Sequence, residues 1–476
     1  MNRHTKMLLC CGLALLHSPV AAQTSNAAYT PRINGDIPRF LAPQDLANQL
    51  GAGASGRSVP PREIDNSVVQ LLPAVRRAVN WHPSISDSIA TLAQQVGGVD
   101  VARARYYPQV KGGLGSGDNT QGGRYTLASA SVSQMLYDFG KTSGSVNQAQ
   151  AQLRKQQALV LKQIDVVAQQ TAEAVVALHR YQSLQAIAKT QVQAIAKVQE
   201  LTVLRSDAGL SSRSDPIQAT SRLDDAKSNL LQVTSLHEQA RERLRTLLGA
   251  PIGDSAGPLD DLDQEVAAVQ RDQPADLRLV PDVLAAEADR QVAVAQLSVA
   301  QAQRYPTISL DGSVDRAITG NNPATLNQRG SNRTIMLNFS APIYQGGALS
   351  AQVSAAVNAL EAARQRVDTA RLNAGDQARL LMQQMEGARQ RLSVLDERKR
   401  SITEVRDLFR EQYMLGTRSI LDLLNAEQEF YQAAADQEAV RHDMWASLVG
   451  YIGATGMNRD FYHLNNEVVQ GMELRP

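Results

Sequence analysis

The chain has 476 residues, of which 43% are hydrophobic, 4% aromatic and 20% charged. That length suffices for roughly two or three ordinary domains or for one elongated subunit of an assembly. The scarcity of aromatic residues and the long stretches of Ala, Gln, Val and Leu disfavour an ordinary compact enzyme and favour long helices packed through small side chains. The formal net charge of +1 gives no basic surplus, so the composition suggests no nucleic-acid partner.

The N-terminus, residues 1–22, has the pattern of a secretory signal peptide. Basic residues precede the apolar run Met7–Leu16, and small residues surround a cleavage position after Ala22. This run is too short for a transmembrane helix, which needs about 18 apolar residues. A lipoprotein signal is the competing interpretation, but Cys10 and Cys11 occur before the apolar run is complete. Both cysteines of the chain lie here, so we expect no disulfide or thiolate metal site in the mature chain.

The next segment, residues 23–62, is rich in Pro, Gly, Ala and Ser and has no sustained hydrophobic period. This composition predicts a flexible leader. The stretch Gly51–Gly56 matches the glycine spacing of dinucleotide-binding loops, which hold a pyrophosphate at a helix N-terminus directly after a strand. No strand pattern precedes these glycines and two prolines follow them, so we interpret the match as accidental.

From about residue 64 onward the chain is internally duplicated. Three pairs of motifs correspond: Tyr107-Pro108 and Tyr305-Pro306, Tyr137–Gly140 and Tyr344–Gly347, and Gly209–Ala219 and Gly416–Ala426. The last two pairs are 207 residues apart and the first pair is 198 apart, so the second half has nine additional residues between its first two motifs. We expect those residues to lie in a loop.

Alternating sequence patterns predict one β-hairpin in each repeat. Residues 307–314 and 334–343 alternate between apolar and polar side chains, which is typical of strands with one apolar face. The first repeat has a weaker version of this pattern, with Val110, Leu114 and Val132 on the apolar faces. Polar loops rich in Gly and Asn join the two strands of each pair, so each pair should form a hairpin.

Two proline-free segments, 141–206 and 348–412, predict very long helices because they are dense in helix-forming residues. A helix of about 66 residues, rising 1.5 Å per residue, is on the order of 100 Å long. Small side chains with spaced Leu and Val suit close coiled-coil packing. Both segments stop near a glycine, Gly209 or Gly416, which can adopt the left-handed conformation that ends a helix.

The predicted organisation is therefore a signal peptide, a leader, two repeats and a tail. The first repeat, 63–260, comprises a helix, the hairpin 107–137, the long helix 141–206 and the helix 214–248. The second repeat, 261–455, comprises the helix 276–303, the hairpin 305–344, the long helix 348–412 and the helix 419–453, and residues 456–476 form the tail. We predict Ser214 and Ser419 as the N-caps of the helices that follow the glycines.

Four strands with one apolar face cannot close a membrane barrel alone, because the smallest such barrels have about eight strands. Three copies would supply twelve strands and twelve helical positions. An export signal without an apolar spanning helix points to a bacterial outer membrane. On these features the chain resembles the TolC family of outer-membrane efflux and secretion channels, and the segment Tyr413–Asp422 is the most specific part of that resemblance.

The resemblance implies a mainly α fold with a small β portion. Long coiled-coil helices would form an α-helical barrel in the periplasm, the hairpins of a homotrimer would form a 12-stranded β-barrel in the outer membrane, and residues 249–275 with the region after 454 would form an equatorial belt. The implied partners are outer-membrane lipid, a periplasmic membrane-fusion adaptor, and an inner-membrane ABC transporter or proton-driven pump. The implied function is export, in a type I secretion system or a tripartite efflux pump, with no cofactor, metal or catalytic residue.

The resemblance also implies a gate at the tip of the helices. Tyr413 and Arg418 would hold the tunnel closed through contacts with Asp215 on the neighbouring coiled coil. In the alternative interpretation, Asp215 is an acid favoured by the helix dipole and Arg418 is a solvated surface charge. Asp422 matches the first of the family's two rings of aspartates, whereas Asn425 occupies the second position, which predicts a weaker cation block. The residues at the helix breaks are the predicted adaptor contacts: Gly209, Leu210, Ser211, Gly416, Thr417 and Ser419.

Two other classes of function are considered on the sequence alone. No two histidines of the chain after residue 22 have the i, i+4 spacing of a zinc helix, and neither a nucleophile elbow nor a Walker loop is present, so an enzyme is disfavoured. A periplasmic coiled-coil adaptor is the stronger alternative, but adaptors usually have one helical hairpin whereas this chain has two. The absence of a convincing lipobox slightly favours the secretion branch over drug efflux.

Overall fold

The computed structural model describes residues 68–120, 123–269 and 277–473. The predicted signal peptide and leader lie outside these residues. The helices are α1 (Leu71–Trp81), α2 (Pro83–Arg103), α3 (Lys141–Asp207), α4 (Ser214–Leu248), α5 (Asp261–Ala268), α6 (Pro281–Ala302), α7 (Ala348–Met414), α8 (Ile420–Ala454) and α9 (Asn458–Phe461). The strands are β1 (Val68–Val69), β2 (Gln109–Asn119), β3 (Gly123–Tyr137), β4 (Ser255–Ala256), β5 (Thr307–Thr319), β6 (Ser331–Ser340), β7 (Val468–Val469) and β8 (Met472–Glu473).

The two long helices, α3 and α7, have 67 residues each and extend one and two residues beyond the predicted ends, respectively.

Three differences from the predicted elements have local causes. The helix before the first hairpin is divided into α1 and α2, because Pro83 starts a new helix that His82 caps through its ring nitrogen. The helix predicted from residue 276 begins at Pro281 instead, since proline is favoured in a first helical turn and disfavoured further in. The predicted tail contains α9 and the β7–β8 hairpin.

The duplication is visible in the backbone. Three pairs of glycines separated by 207 residues have positive φ: Gly140 and Gly347, Gly209 and Gly416, and Gly249 and Gly456. They lie at the start of the long helix, at its end, and at the end of the following helix in each repeat. The two halves therefore share their helix boundaries as well as their motifs.

The two hairpins form one antiparallel sheet in the order β2-β3-β5-β6. Its register aligns Val110, Val132, Gly312 and Ile335 in one row across the four strands. The next residues along the strands, Lys111, Ser131, Ser313 and Thr334, form a row on the opposite face, because successive side chains alternate between faces. One face is thus largely apolar and the other largely polar.

The apolar face of the sheet is exposed in the single chain. Leu114 and Ile335 are 75% and 82% exposed. Aromatic side chains gather where the strands meet the helices: Phe139 stacks on Tyr305 with ring centroids 5.5 Å apart and packs edge-on against Tyr137 at 4.6 Å. An apolar band bordered by aromatic residues is typical of a sheet that faces lipid.

The helices run away from the sheet and form four positions in cross-section. In the half near the sheet, α3 packs between α2 and α6, and α6 also packs against α7. In the half away from the sheet, α4 and α8 replace α2 and α6 as the neighbours of α3 and α7. Among the described residues, no helix combines the length and the hydropathy that a membrane span requires.

A belt of short elements surrounds the middle of the helices. Strand β1 pairs in parallel with β4, and α5 packs on α8, where the indole of Trp445 donates to Asp263 at 2.6 Å. The buried side chains Tyr462 and Leu464 anchor the C-terminal segment in the same core. The belt includes residues from both predicted segments, 249–275 and the region after 454, within the described ranges.

Candidate functional site at the helical tip

Both long helices end in the same hydrogen-bonded motif. In the first repeat, Gly209 donates to the carbonyl of Ser206 at 3.0 Å and Leu210 to that of Arg205 at 2.8 Å. In the second repeat, Gly416 and Thr417 donate to the carbonyls of Tyr413 and Gln412, both at 3.0 Å. These are Schellman ends, in which a glycine with φ of +71° or +77° satisfies the last carbonyls of the helix.

The helices after the two breaks start differently. Ser419 caps α8 as predicted, since its hydroxyl accepts from the amide of Asp422 at 3.2 Å. The prediction that Ser214 caps α4 is wrong, because Ser214 is already the first helical residue. The hydroxyl of Ser212 accepts from the amide of Ser214 at 3.2 Å instead.

A small apolar core holds the two hairpin tips together. Its buried members come from all four helices that meet there: Ile195, Val198, Ala219, Ala226, Tyr413, Ile420, Leu423 and Leu424. This cluster is separate from the larger core at the belt. The tip therefore has its own packing, which a change at the belt need not disturb.

Tyr413 is the aromatic member of this core, with only 3% of its surface exposed. Arg205 of α3 lies over its ring, with the guanidinium carbon 5.1 Å from the ring centroid, and donates to the carbonyl of Met414 at 3.2 Å. Within the described residues the hydroxyl of Tyr413 has no hydrogen-bond partner. Burial raises the pKa of Tyr413, and the charge of Asp215 raises it further against an opposing effect of Arg205.

Arg418 bonds within its own repeat. Its Nε donates to Gln412 at 3.1 Å, and its Nη1 lies 3.7 Å from the carboxylate of Asp422, one helical turn ahead. Its guanidinium also stacks over Phe409 at 4.2 Å. In the single chain Arg418 and Asp215 are thus not brought into contact, and their predicted contact requires a neighbouring copy.

Asp215 stands at the half-buried start of α4. Its carboxylate accepts from Ser214 at 3.3 Å, and no described residue forms an ion pair with it. Asp215 and Asp422 are equivalent in the two repeats, since they are 207 residues apart. The equivalent of Arg418, however, is Ser211, so the first repeat has no cation at that position.

The residues predicted for the tunnel mouth lie on the first turns of α8. Asp422 is bonded to Ser419 and paired with Arg418. Asn425 accepts from Arg222 of α4 at 3.2 Å, which links the two hairpins through an amide where the resemblance implied a second carboxylate. The described residues contain no group of three or more His, Cys, Asp or Glu side chains that could hold a metal ion.

The predicted adaptor contacts form the loop at each break. Gly209, Leu210, Gly416, Thr417 and Ser419 are exposed, and Ser211 is half-buried. Leu210 and Leu415 are 68% and 73% exposed, so each loop presents an apolar side chain beyond the end of its long helix.

The sequence reasoning missed Arg205 and Arg222. Arg205 precedes its glycine by four residues and is equivalent to Gln412 of the second repeat. Comparing the two repeats residue by residue would have shown that Arg205 and Arg418 have no counterpart in the other repeat, where Gln412 and Ser211 occupy the equivalent positions. Their partners in the other repeat could not be read from local patterns.

Comparison with known proteins decides the family. The profile of the outer membrane efflux protein family matches residues 74–250 and 277–456, which make up more than half of the chain. The chain belongs to this family. Outer membrane protein TolC of Escherichia coli (strain K12) is 24% identical over 442 residues, spanning 85% of this chain and 86% of that protein.

Two further matches agree with this outer membrane efflux protein. Alkaline protease secretion protein AprF of Pseudomonas aeruginosa is 25% identical over 276 residues, spanning 56% of this chain and 57% of that protein. The crystal structure of the outer membrane protein VceC from Vibrio cholerae has a TM-score of 0.70 at 18% identity, covering 81% of this chain and 96% of that one. The VceC match shows a shared fold.

The predicted fold class, family and location are therefore confirmed. This efflux protein is an outer-membrane channel for type I secretion or efflux, mainly α-helical with a small β portion, and its helices project into the periplasm. It belongs to a family of transport proteins. The alternative prediction of a periplasmic adaptor finds no support in these matches.

Proposed function

We propose that three copies of the chain assemble into one channel whose barrel is closed by strand pairing between protomers. The observation that carries this proposal is the open sheet, in which β2 and β6 are edge strands without a further partner in the described part of the chain. Three sheets of four strands would give twelve, and closure would remove all exposed strand edges. The apolar face would contact lipid and the polar face would line the channel.

Disulfide trapping between β2 and β6 tests this assembly. One cysteine on each edge strand should give covalent dimers and trimers in oxidised membranes, because β6 of one protomer would pair with β2 of the next. The matched control is Ser131→Cys with Ser313→Cys, whose positions are already cross-strand partners within one chain and should yield no oligomer. Edge-strand pairs that give only monomers, with a monomer mass in detergent, would refute the trimeric barrel.

The proposed gate is a contact from Arg418 and Tyr413 to Asp215 of the neighbouring coiled coil. Three features support it: the first repeat has Ser211 at the position equivalent to Arg418, the hydroxyl of Tyr413 has no hydrogen-bond partner among the described residues, and the Arg418–Asp422 pair is long at 3.7 Å. Both side chains of that pair are about two-fifths exposed, so Arg418 could leave Asp422 and bind Asp215 at little cost in free energy. Each exposed pair contributes roughly 0.2 to 1 kcal/mol, and three symmetric copies would add to about 1 kcal/mol or more.

Conductance measurements test the gate. Arg418→Ser with Tyr413→Phe should raise single-channel conductance in planar bilayers and leave assembly intact, because the closing contacts are lost. Arg400→Ser is the matched control, since Arg400 forms an exposed pair with Glu397 at 3.4 Å on the same helix, away from the tip. A double variant that conducts like the parent would show that Arg418 is a solvated surface charge.

We further propose that Asp422 contributes one acidic ring at the mouth, where the resemblance implied two. Three copies of Asp422 would hold half the negative charge of two aspartate rings, because Asn425 is neutral. Asp422→Ala should therefore weaken block by divalent cations without opening the tip, while Asn425→Asp should strengthen it. Equal block in parent and Asp422→Ala channels would contradict this assignment.

The proposed partners are a periplasmic membrane-fusion adaptor at the exposed break loops and an inner-membrane ABC transporter, in a type I secretion system. The similarity to a protease secretion protein supports this branch over a proton-driven pump. Co-purification of cross-linked inner-membrane partners tests the choice. Recovery of a proton-driven pump instead of an ABC transporter would assign the channel to efflux.

A further inference from the structure

Four exposed arginines lie at the end of the sheet that is distant from the helices. Arg124 is the second residue of β3, Arg316 and Arg333 lie on β5 and β6, and Arg329 lies in the loop between those two strands. None of these side chains has an ion-pair or hydrogen-bond partner among the residues that the structure describes. Arg124 is opposite Asp118 in the register, so the uncompensated charge belongs to the other three.

The register places Arg316 and Arg333 on the apolar face. Arg333 pairs with Val314, which continues a row through Ala130 to Gly112, and it lies two residues from the exposed Ile335. Arg316 pairs with Ala128 on one side and with Ser331 on the other. The two arginines are therefore diagonal neighbours on adjacent strands, about 7–8 Å apart. The carboxylates of Asp311 and Asp315 alternate onto the opposite face and cannot neutralise them.

The height of these arginines matches a membrane boundary. Arg316 is eight residues from Ile308, which lies near the aromatic border. This separation corresponds to roughly 27 Å along a strand and, for the usual tilt of strands in a barrel, to about 20 Å along the membrane normal. The apolar band of such barrels is about 25 Å tall. A cation on the lipid-facing side is strongly disfavoured in the middle of that band and tolerated at its edge. Because the helices project into the periplasm, this edge is the external one.

We propose that Arg316 and Arg333 bind phosphate groups on the lipid headgroups of the outer leaflet, an inference that rests on the proposed closed barrel. Guanidinium groups hold phosphate oxygens through paired hydrogen bonds, and two such groups on one face can grip a single phosphorylated headgroup. The apolar rows directly below, through Val314 and Ile335, would contact the acyl chains of the same lipid. Arg329 in the loop above adds positive charge at headgroup level.

Native mass spectrometry of the purified trimer in neutral detergent, titrated with diphosphorylated lipid A, tests the proposal. Arg316→Ser with Arg333→Ser should reduce lipid affinity about 30-fold, as expected for the loss of two cations near an anionic headgroup. Arg316→Lys with Arg333→Lys should retain an intermediate affinity, because lysine keeps the charge but not the paired hydrogen bonds. Lys111→Ser is the control, since Lys111 lies on the polar face and its removal should leave affinity unchanged.

Two comparisons identify the occupant. The same glycolipid without its phosphates should bind the parent and the double Ser variant equally weakly, and inorganic phosphate should not displace the phosphorylated lipid at equal concentration. Parent-like affinity of the double Ser variant, or equal competition by inorganic phosphate, would overturn the proposal. The same spectra report the number of protomers, so failure of the trimeric barrel is distinguished from failure of lipid binding.

Discussion

The buried ion pair between Asp165 and Arg459 attaches the C-terminal segment to the long helix α3. Both residues are 6% exposed or less, and the Nε of Arg459 lies 3.6 Å from the Oδ1 of Asp165. Arg459 also donates to the carbonyl of Leu279 at 3.2 Å, and Asn458 donates to the backbone carbonyl of Asp165 at 3.2 Å. The pair thus joins three parts of the belt that are distant in sequence.

Removal of either partner should detach this segment. Breaking a buried pair by removing one partner costs about 3–5 kcal/mol, because it leaves an uncompensated buried charge. Replacing both partners by leucine should cost far less, since no charge remains to be buried. A loss of about 3 kcal/mol raises the population of the locally opened segment by more than about 100-fold.

The two single variants should differ in their pH dependence. Burial raises the pKa of Asp165 to about 7, against an opposing effect of Arg459. In Arg459→Leu that opposing effect is lost, so the pKa of Asp165 should lie higher than in the parent, and the variant should gain stability as the pH falls through this raised pKa. In Asp165→Leu no titrating carboxyl remains and the guanidinium keeps its charge at every accessible pH, so the stability of the variant itself should not change with pH through this site. For the parent, a raised pKa means stability fully present below about pH 4 and lost as the pH rises through about 7.

Chymotrypsin cleavage near Phe461 and Tyr462 measures the opening, because the ring of Tyr462 is fully buried in the docked state. The cleavage rate follows the open population when closing is fast. Asp165→Leu, whose arginine keeps its charge, should be cleaved more than about 100 times faster than the parent. Arg459→Leu should be cleaved faster than the parent mainly at pH values at which Asp165 is ionised, and the double variant should approach the parent rate. Parent-like rates in both single variants, or a double variant as susceptible as the sum of the singles, would refute the reasoning.

Two further predictions concern the rest of the belt. His442 of α8 is buried, its Nε2 lies 2.8 Å from the Nδ1 of His179, and burial lowers the pKa of His442 to about 4. The stability present above about pH 6.5 should therefore be lost as the pH falls through about 4, by up to about 3 kcal/mol. Denaturant unfolding across that pH range should show this loss, and His442→Gln should remove most of the pH dependence. Gly249→Ala should destabilise the protein by more than about 1 kcal/mol, since the φ of Gly249 is +62° and the added methyl group would overlap the ring of Trp81. Gly387→Ala is the control, because its added methyl group would meet no atom within 4 Å. It should stabilise helix α7 by about 0.5–1 kcal/mol in the same unfolding assay.

Much of the fold could be predicted because its elements depend on local patterns. The strands follow from a two-residue alternation, and the long helices follow from the absence of proline between two glycines. The ends of α3 and α7 agree with the sequence because glycine is the residue that adopts the left-handed backbone at Gly209 and Gly416 without strain. The division of the first helix at Pro83 was missed although its signal, a proline after a capping residue, is present in the sequence.

The contacts of the candidate site could not be predicted in the same way. Arg205 reaches the carbonyl of Met414, which is 209 residues away, and no local period specifies such a partner. Arg418 and Asp422, by contrast, are four residues apart, and this spacing alone allows their side chains to pair across one helical turn. Tertiary packing determines the first kind of contact and secondary structure determines the second.

The two repeats differ at the tip in a manner that bears on gating. Arg205 precedes the glycine break of the first repeat and Arg418 follows that of the second, while Gln412 and Ser211 occupy the equivalent positions. Arg205 is engaged across the repeats, over Tyr413, whereas Arg418 is paired within its repeat to an exposed carboxylate. Asp215 and Asp422 are equivalent acids, yet only Asp422 has an arginine at the matching position of its own hairpin. Because Ser211 stands where the second repeat has Arg418, the proposed closing contact joins Arg418 of the second repeat to Asp215 of the first, and so it forms between unlike hairpins.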